Sequence, residues 1–326
     1  MTITDDSFVR RWPLQGVAEA YSGATLERVE TADGRRFVLK HLSESGDWLT
    51  RASGRRDRLR QLWTSGVLDR VSAVVDHAIV DVVDDHGHDV IVMRDVTQEL
   101  LPPKGPVSRA TSRQVLTGLA ALHELGRSEP PQELCTVGAR YQMFAPQIHA
   151  ADDEPGAHPA REFIITGWNL FAELAPADIV DAVSAVHDDP LVLDGRLAKY
   201  STTLLHGDAK VSNLGLGPAG LIAIDWGDLT GFGPPEVDVA WYALMNDQSI
   251  GTSPDETFAD YQDVARRPLE PGAIDLACIG SLAQMGFKLA GYAVRGETPE
   301  VRAGASARLT WWCGRVRVAL DRTGLA

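Results

Sequence analysis

Cysteine is scarce in this chain. Cys135, Cys278 and Cys313 are odd in number, far apart in sequence and without a CxxC pair. That fits a reducing compartment better than a disulfide framework. Positive charge is the minority sign: 31 Lys and Arg against 45 Asp and Glu give a net charge of −14, which argues against nucleic acid or an anionic membrane as the main partner. No uninterrupted apolar run approaches the roughly 20 residues that span a bilayer. The opening MTITDDSFVRRW carries acids where a signal peptide needs a basic stretch and then an apolar one. The expectation is a cytoplasmic protein. Glutamate is absent between Glu44 and Glu99, and the segment Tyr21-Ser22-Gly23-Ala24-Thr25 has a single glycine; both gaps bear on the chemistry below.

What is present reads as an ordinary globular chain of 326 residues, 44 % hydrophobic and 23 % charged. The first part is β-rich. Thr25 to Thr31 and Arg36 to Leu42 flank the turn Ala32-Asp33-Gly34, and Asp-Gly between two such runs marks a hairpin. A helix is predicted from Asp47 to Ser65; most of the five arginines between Arg51 and Arg60 read as its solvated face. Strands Ala78–Val83 and Asp89–Met93 follow, joined by DDHGH, a solvated turn in preference to a metal site.

After Met93 the character changes. Arg109 to Gly126 has helical periodicity and a closing glycine. Residues 127–159, rich in Pro, Asp and Ala, read as a mobile insertion, and helical sequence runs from Pro159 to Val186. Two short strands, TTLL and GLIAIDW, interrupt the helices between Thr202 and Gly231, and helices resume from Asp255. The predicted architecture is α+β in two lobes: residues 1–96 a small β-rich lobe, residues 97–326 a larger, mainly helical one.

The chemistry concentrates in His206-Gly207-Asp208-Ala209-Lys210-Val211-Ser212-Asn213 and, further on, Ile224-Asp225-Trp226-Gly227. Phosphoryl transfer from ATP asks for a carboxylate that orients the acceptor hydroxyl and accepts its proton, and for ligands to magnesium ions bridging the phosphates. Asp208 and Asn213 in one tight loop, with Asp225 on the next hairpin, supply those groups.

On the motifs HGDAKVSN, IDWGDLTGFG and PPEVDVAW, the sequence resembles the aminoglycoside phosphotransferase and choline kinase superfamily, the small-molecule branch of the protein-kinase-like fold. The resemblance implies a two-lobed fold with an antiparallel sheet in the small lobe. It implies ATP and Mg²⁺ as cofactors, Asp208 as catalytic base, and Asn213 and Asp225 as metal ligands. Asp238 would hold the backbone of the His206-Gly207 loop. Lys210 matches the lysine that neutralises the transferred phosphate in protein kinases. Lys40 matches the lysine that holds the α- and β-phosphates, although a lysine ending a strand is otherwise merely solvated. The family pairs that lysine with a glutamate on the next helix. Asp57 stands in its place, either as a shorter partner or as one more helix-face charge. Ser22, Gly23 and Thr25 would cover the phosphates, and Met93, Asp95 and Val96 match the hinge whose backbone contacts adenine.

The resemblance also implies a small hydroxylated molecule as partner, with neither nucleic acid nor membrane; monomer and homodimer both stay open. Asp225 is followed almost at once by Pro234-Pro235-Glu236, which leaves little room for the activation segment of a protein kinase. A catalytically silent nucleotide-binding relative is disfavoured because Lys40, Asp208, Lys210, Asn213 and Asp225 are all present. The expected acceptor is antibiotic-like (aminoglycoside or nucleoside) or sugar-like, with choline or another amino alcohol second. An antibiotic-resistance role would follow from the first. Trp241, Tyr242, Tyr292, Trp311 and Trp312 read as core in preference to an aromatic box. Asp247, Asp255, Glu256, Asp260 and Asp263 are the acids expected near the cleft, and the last helix carries Arg302, Arg308, Arg315, Arg317 and Arg322.

Overall fold

A computed structural model describes residues 8–14, 24–42, 58–85, 88–103, 105–125, 134–151 and 160–325. Ser22, Gly23 and Asp57 lie outside the described residues. The amino-terminal sheet is built from β1 (Phe8–Pro13), β2 (Thr25–Thr31), β3 (Arg36–His41), β4 (Ile79–Asp85) and β5 (His88–Arg94), in the order β1-β2-β3-β5-β4 with every pair antiparallel. The turn between β2 and β3 places Gly34 at φ 81°, a left-handed conformation that costs glycine nothing. Edge strand β1 has no counterpart in the sequence expectations; its FVRRWP run is too polar and too exposed to show a period.

Alternation gives the sheet two different faces. Val29, Phe37, Leu39, Val90 and Val92 form a small core on the outer face. On the other face, Lys40 stands in register with Leu26 and Ile91, and Val38 with Met93. Ile79, Val82 and Ile91 belong to the large core, which continues through α1 (Arg58–Thr64) and α2 (Val67–Val71) into the carboxy-terminal helices.

Those helices are α3 (Arg109–Leu125), α4 (Val137–Gln142), α5 (Pro146–Ala151), α6 (Arg161–Leu174), α7 (Ala177–Asp188) and α8 (Leu191–Leu197). After the short strands β6 (Thr203–Leu205), β7 (Leu214–Gly217), β8 (Gly220–Ala223) and β9 (Gly231–Gly233) come α9 (Glu236–Met245), α10 (Pro254–Ala265), α11 (Pro271–Arg295) and α12 (Pro299–Thr323). Strands β6 and β9 pair, as do β7 and β8. The β7–β8 hairpin is gripped from both sides by the chain around the sheet. Asp76 N–H donates to the Leu221 carbonyl and Asp76 C=O accepts from Ala223, both at 2.9 Å, while Leu101 N–H reaches Leu214 O at 2.8 Å.

Helix α11 has the length and composition of a membrane span, but 94 % of its apolar window is buried inside the protein, so it is the central core helix of the larger lobe. One expectation is corrected here. Part of the supposed mobile insertion folds as α4 and α5, with Arg140 and Tyr141 about 1 % exposed. These helices are too short to print a period on the sequence; Tyr141 is held by packing against Gly280 of α11, where a Cβ would run into its ring. Among the arginines between Arg51 and Arg60, Arg58 is an exception to the solvated face: it is 3 % exposed.

Three of the five aromatics are core residues, and Tyr292 and Trp311 are partly buried. Trp241, Tyr242 and Trp312 are buried, the Tyr242 hydroxyl meets Ser112 Oγ at 2.9 Å, and Tyr292 packs on Phe163.

Candidate active site

The loop between β6 and β7 is fixed before any of its side chains acts. Gly207 sits at φ 88°, and a Cβ there would collide with the Leu229 carbonyl, so this position requires glycine. Asp238, fully buried near the start of α9, accepts from His206 N–H at 2.7 Å and from Gly207 N–H at 3.1 Å. Arg140 donates to its other side at 3.2 Å and His123 Nε2 reaches it at 3.4 Å. Burial would raise the Asp238 pKa, but the His123 hydrogen bond and the Arg140 charge hold it well below the ordinary carboxylate range. The His123 ring is oriented in turn by the Tyr261 hydroxyl at 2.7 Å.

His206 is fully buried, and its bonds select one neutral tautomer. Nδ1 accepts from Asp208 N–H at 3.2 Å, and Nε2–H donates to the Ile224 carbonyl at 3.1 Å. Burial holds its pKa below the usual value. The ring stands edge-on to Trp226, with centroids 4.6 Å apart. Since Ile224 immediately precedes Asp225, this histidine ties the loop carrying Asp208 to the turn carrying Asp225. Thr230 adds a second tie, its hydroxyl donating to His206 O at 3.1 Å and accepting from Gly227 N–H at 3.0 Å.

Within this frame the predicted residues converge. Asn213 donates its amide to Asp208 Oδ2 at 2.9 Å and to the Asp208 carbonyl at 3.1 Å, and Lys210 Nζ lies 3.0 Å from the same carboxylate oxygen. Lys40 spans the cleft, its Nζ 2.6 Å from Asp225 Oδ1 although the two are 185 positions apart. Asp225 itself has φ 68°, a left-handed backbone uncommon outside glycine, asparagine and aspartate. The cleft's partial exclusion of water would raise its pKa, but attraction to Lys40 and Lys210 brings it down to about 2. Asn213 Oδ1 and Asp225 Oδ2 accept no hydrogen bond among the described residues, so each leaves an oxygen for a cation.

The remaining predicted positions divide. Met93 shares a face with Lys40. The Asp95 side chain is taken up by an ion pair with Arg28 at 2.7 Å and by Thr97, and its N–H donates to Arg36 O at 3.1 Å. Val96 is buried against Ala78 and Ile222. Thr25 is exposed and in register with His41, on the sheet face opposite Lys40; the structure does not bring its side chain to the cleft. Asp228 presents its carbonyl to the buried Arg58, which donates at 3.0 Å and so anchors α1 to the turn after Asp225.

Among the described residues, every expected cleft acid except Asp255 is engaged. Arg109 and Arg113 hold Asp260, Asp263 and Glu256, and Arg308 pairs with the nearly buried Asp247 at 2.5 Å. The basic residues of α12 are likewise paired, Arg315 and Arg322 with Asp275 and Arg317 with Asp178. Sequence reasoning missed Arg58, His123, Arg140, Thr230 and Asn246. Their only local signal is a polar residue beside apolar ones, which any solvated position would also give.

The model of the phosphotransferase enzyme family, APH, matches residues 14–271. Among solved structures, choline kinase LicA from Streptococcus pneumoniae aligns over 94 % of each chain at 13 % identity and TM-score 0.55. A LicA complex with AMP aligns over 94 % of each at 13 % and 0.54. Choline kinase from Cryptosporidium parvum covers 99 % of this chain and 92 % of its own at 11 % identity and 0.54. These likenesses carry the fold. None of the curated proteins matches the chain.

Proposed function

Because the chain belongs to the phosphotransferase enzyme family and is a small-molecule kinase, we propose that it transfers the γ-phosphate of ATP, with Mg²⁺, to a hydroxyl of a sugar-like or antibiotic-like acceptor. The observation that carries this reading is the meeting of Lys40 with Asp225, beside a loop in which Asp208, Lys210 and Asn213 touch one another. In it, residues 1–96 form the lobe that holds the nucleotide and residues 97–326 the lobe that holds the acceptor. Adenine lies by Met93, Asp95 and Val96, where the Asp95 carbonyl and Val96 N–H have no partner among the described residues. The LicA complex with AMP supports a nucleotide in such a fold.

Asp208 orients the acceptor hydroxyl and takes its proton as the oxygen attacks in line. Lys210, at hydrogen-bond distance from that carboxylate, stands ready to share the charge of the transferred phosphoryl group. Lys40 aligns the α- and β-phosphates. Asn213 and Asp225 fit magnesium, a hard cation that takes few protein oxygens and completes its shell from phosphates and water; when bound it neutralises charge on the phosphate oxygens.

The pairing of the candidate acids with arginines favours an uncharged sugar or nucleoside acceptor over a polycationic one, which needs free carboxylates. Choline-type acceptors are second, since three of the aromatics that would cage a quaternary ammonium, Trp241, Tyr242 and Trp312, are buried in the core.

Magnesium-dependent ATP consumption is to be measured against aminoglycosides, nucleosides, sugars and amino alcohols. We expect turnover on an uncharged polyol or nucleoside and its loss, by about 10³-fold or more, in Asp208→Asn. Wild-type turnover in that variant removes Asp208 from the chemistry. Calorimetry that detects no binding of magnesium-ATP to the wild type overturns the kinase reading.

A further inference from the structure

Asn246, the residue that closes α9, is 3 % exposed, and every polar atom of its side chain is engaged. Its Oδ1 accepts from Val211 N–H at 2.7 Å. Its Nδ2 donates to the Ala209 carbonyl at 2.9 Å and to the Tyr242 carbonyl, one turn back in α9, at 3.0 Å. Two of these three bonds go to the loop that carries Asp208, and they land on either side of Lys210.

We propose that Asn246 is a positioning residue that sets the geometry of Asp208 and Lys210; the inference rests on the kinase reading above. Ala209 C=O and Val211 N–H bracket Lys210, so holding both fixes its backbone, at φ −83° and ψ 151°. From that conformation its ammonium meets the Asp208 carboxylate at 3.0 Å. The Tyr242 bond anchors the amide to α9, the helix whose Asp238 grips His206 and Gly207 at the other end of the same loop. Helix α9 thus holds the catalytic loop at two points, Asp238 before Asp208 and Asn246 after it.

The choice of asparagine follows from the demand. The site asks one short, uncharged side chain for one acceptor and two donors, which only a primary amide supplies. Aspartate retains the acceptor and sets a negative charge against two carbonyl oxygens in a buried site. Leucine, of similar shape, leaves Val211 N–H and Ala209 C=O unsatisfied. The backbone of Asn246 is used separately, its carbonyl accepting from Ser249 and Ile250 at 2.8 and 2.9 Å, so either side-chain exchange leaves the turn after α9 intact.

The test is steady-state kinetics of Asn246→Leu and Asn246→Asp beside amide exchange of the wild-type protein by NMR. We expect kcat to fall by about 10²-fold, as for a catalytic group displaced by about 1 Å, with KM for ATP little changed. Loss of folded protein alone lowers apparent kcat only by the unfolded fraction, which circular dichroism measures on the same samples. In the wild type, the Val211 amide should exchange slowly although it lies in a 3₁₀ turn outside the regular helices and strands. Two results overturn the proposal: wild-type kcat in both folded variants, or a Val211 amide that exchanges as fast as a solvated one. The exchange measurement needs neither variant nor substrate. If the wild type shows no kinase activity, the function fails, and Val211 alone then decides whether Asn246 holds the loop.

Discussion

At the scale of single residues, the site is defined as much by what its backbone tolerates as by its carboxylates. Gly207 is the sharpest case: its positive φ and the Leu229 carbonyl against its α-carbon exclude any side chain. Gly207→Ala is expected to destabilise the protein by about 3 kcal/mol, the sum of a left-handed backbone and an overpacked contact, and to abolish turnover in what remains folded. Thermal unfolding followed by circular dichroism checks the first part; an unchanged melting temperature would show that the loop can relax. The spacing of Asp208 and Asn213 is legible in the sequence because both lie within one loop. Asn246 and Arg58 are not, since their partners Val211 and Asp228 lie on other elements and nothing local marks either residue as buried.

At the scale of elements, the strands were readable where one face is buried and the period of two is kept. The β2–β3 hairpin and strands β4 and β5 fall within two residues of their predicted bounds. Edge strand β1 and helix α4 were not readable. A six-residue helix has too few turns to show a stripe, and α4 exists because Tyr141 docks on Gly280 and Arg140 reaches Asp238. Gly280→Ala tests that docking. We expect a loss of about 1–3 kcal/mol in urea unfolding, with turnover falling further than stability because Arg140 moves with its helix. A variant as stable and as active as the wild type would show that α4 stands without that contact.

At the scale of the molecule, buried ionisable groups give stability a direction in pH. His77, His187 and His206 are all held below their ordinary pKa by burial, so the folded state keeps them neutral where the unfolded chain takes up protons. Folding stability from these groups is therefore complete above about pH 6.5 and falls as the pH drops below it, by up to about 1.4 kcal/mol per pH unit for each histidine. The depressed carboxylates Asp225 and Asp238 act lower. Their stabilisation is present above about pH 4, the unfolded value, and is lost as the pH falls toward the folded one, about 2 for Asp225. Urea unfolding at pH 7.5, 6.5 and 5.5 should show a declining free energy. His206→Gln should flatten part of that decline, and an identical slope in the variant would mean that His206 takes up its proton in the fold as readily as in the unfolded chain.

The sequence by itself determined which acids, lysine and amide lie close together along one strand-turn-strand, and which strands alternate. It did so because those relations span a few residues, and backbone geometry fixes them locally. Tertiary structure decided the rest. It brought Lys40 to Asp225 across 185 positions, singled out Arg58 among its neighbouring arginines as a buried anchor, made a helix of α4, and set Asn246 against the loop it holds. Each depends on which surfaces exclude water together, a property of the folded whole that no stretch of the chain carries alone.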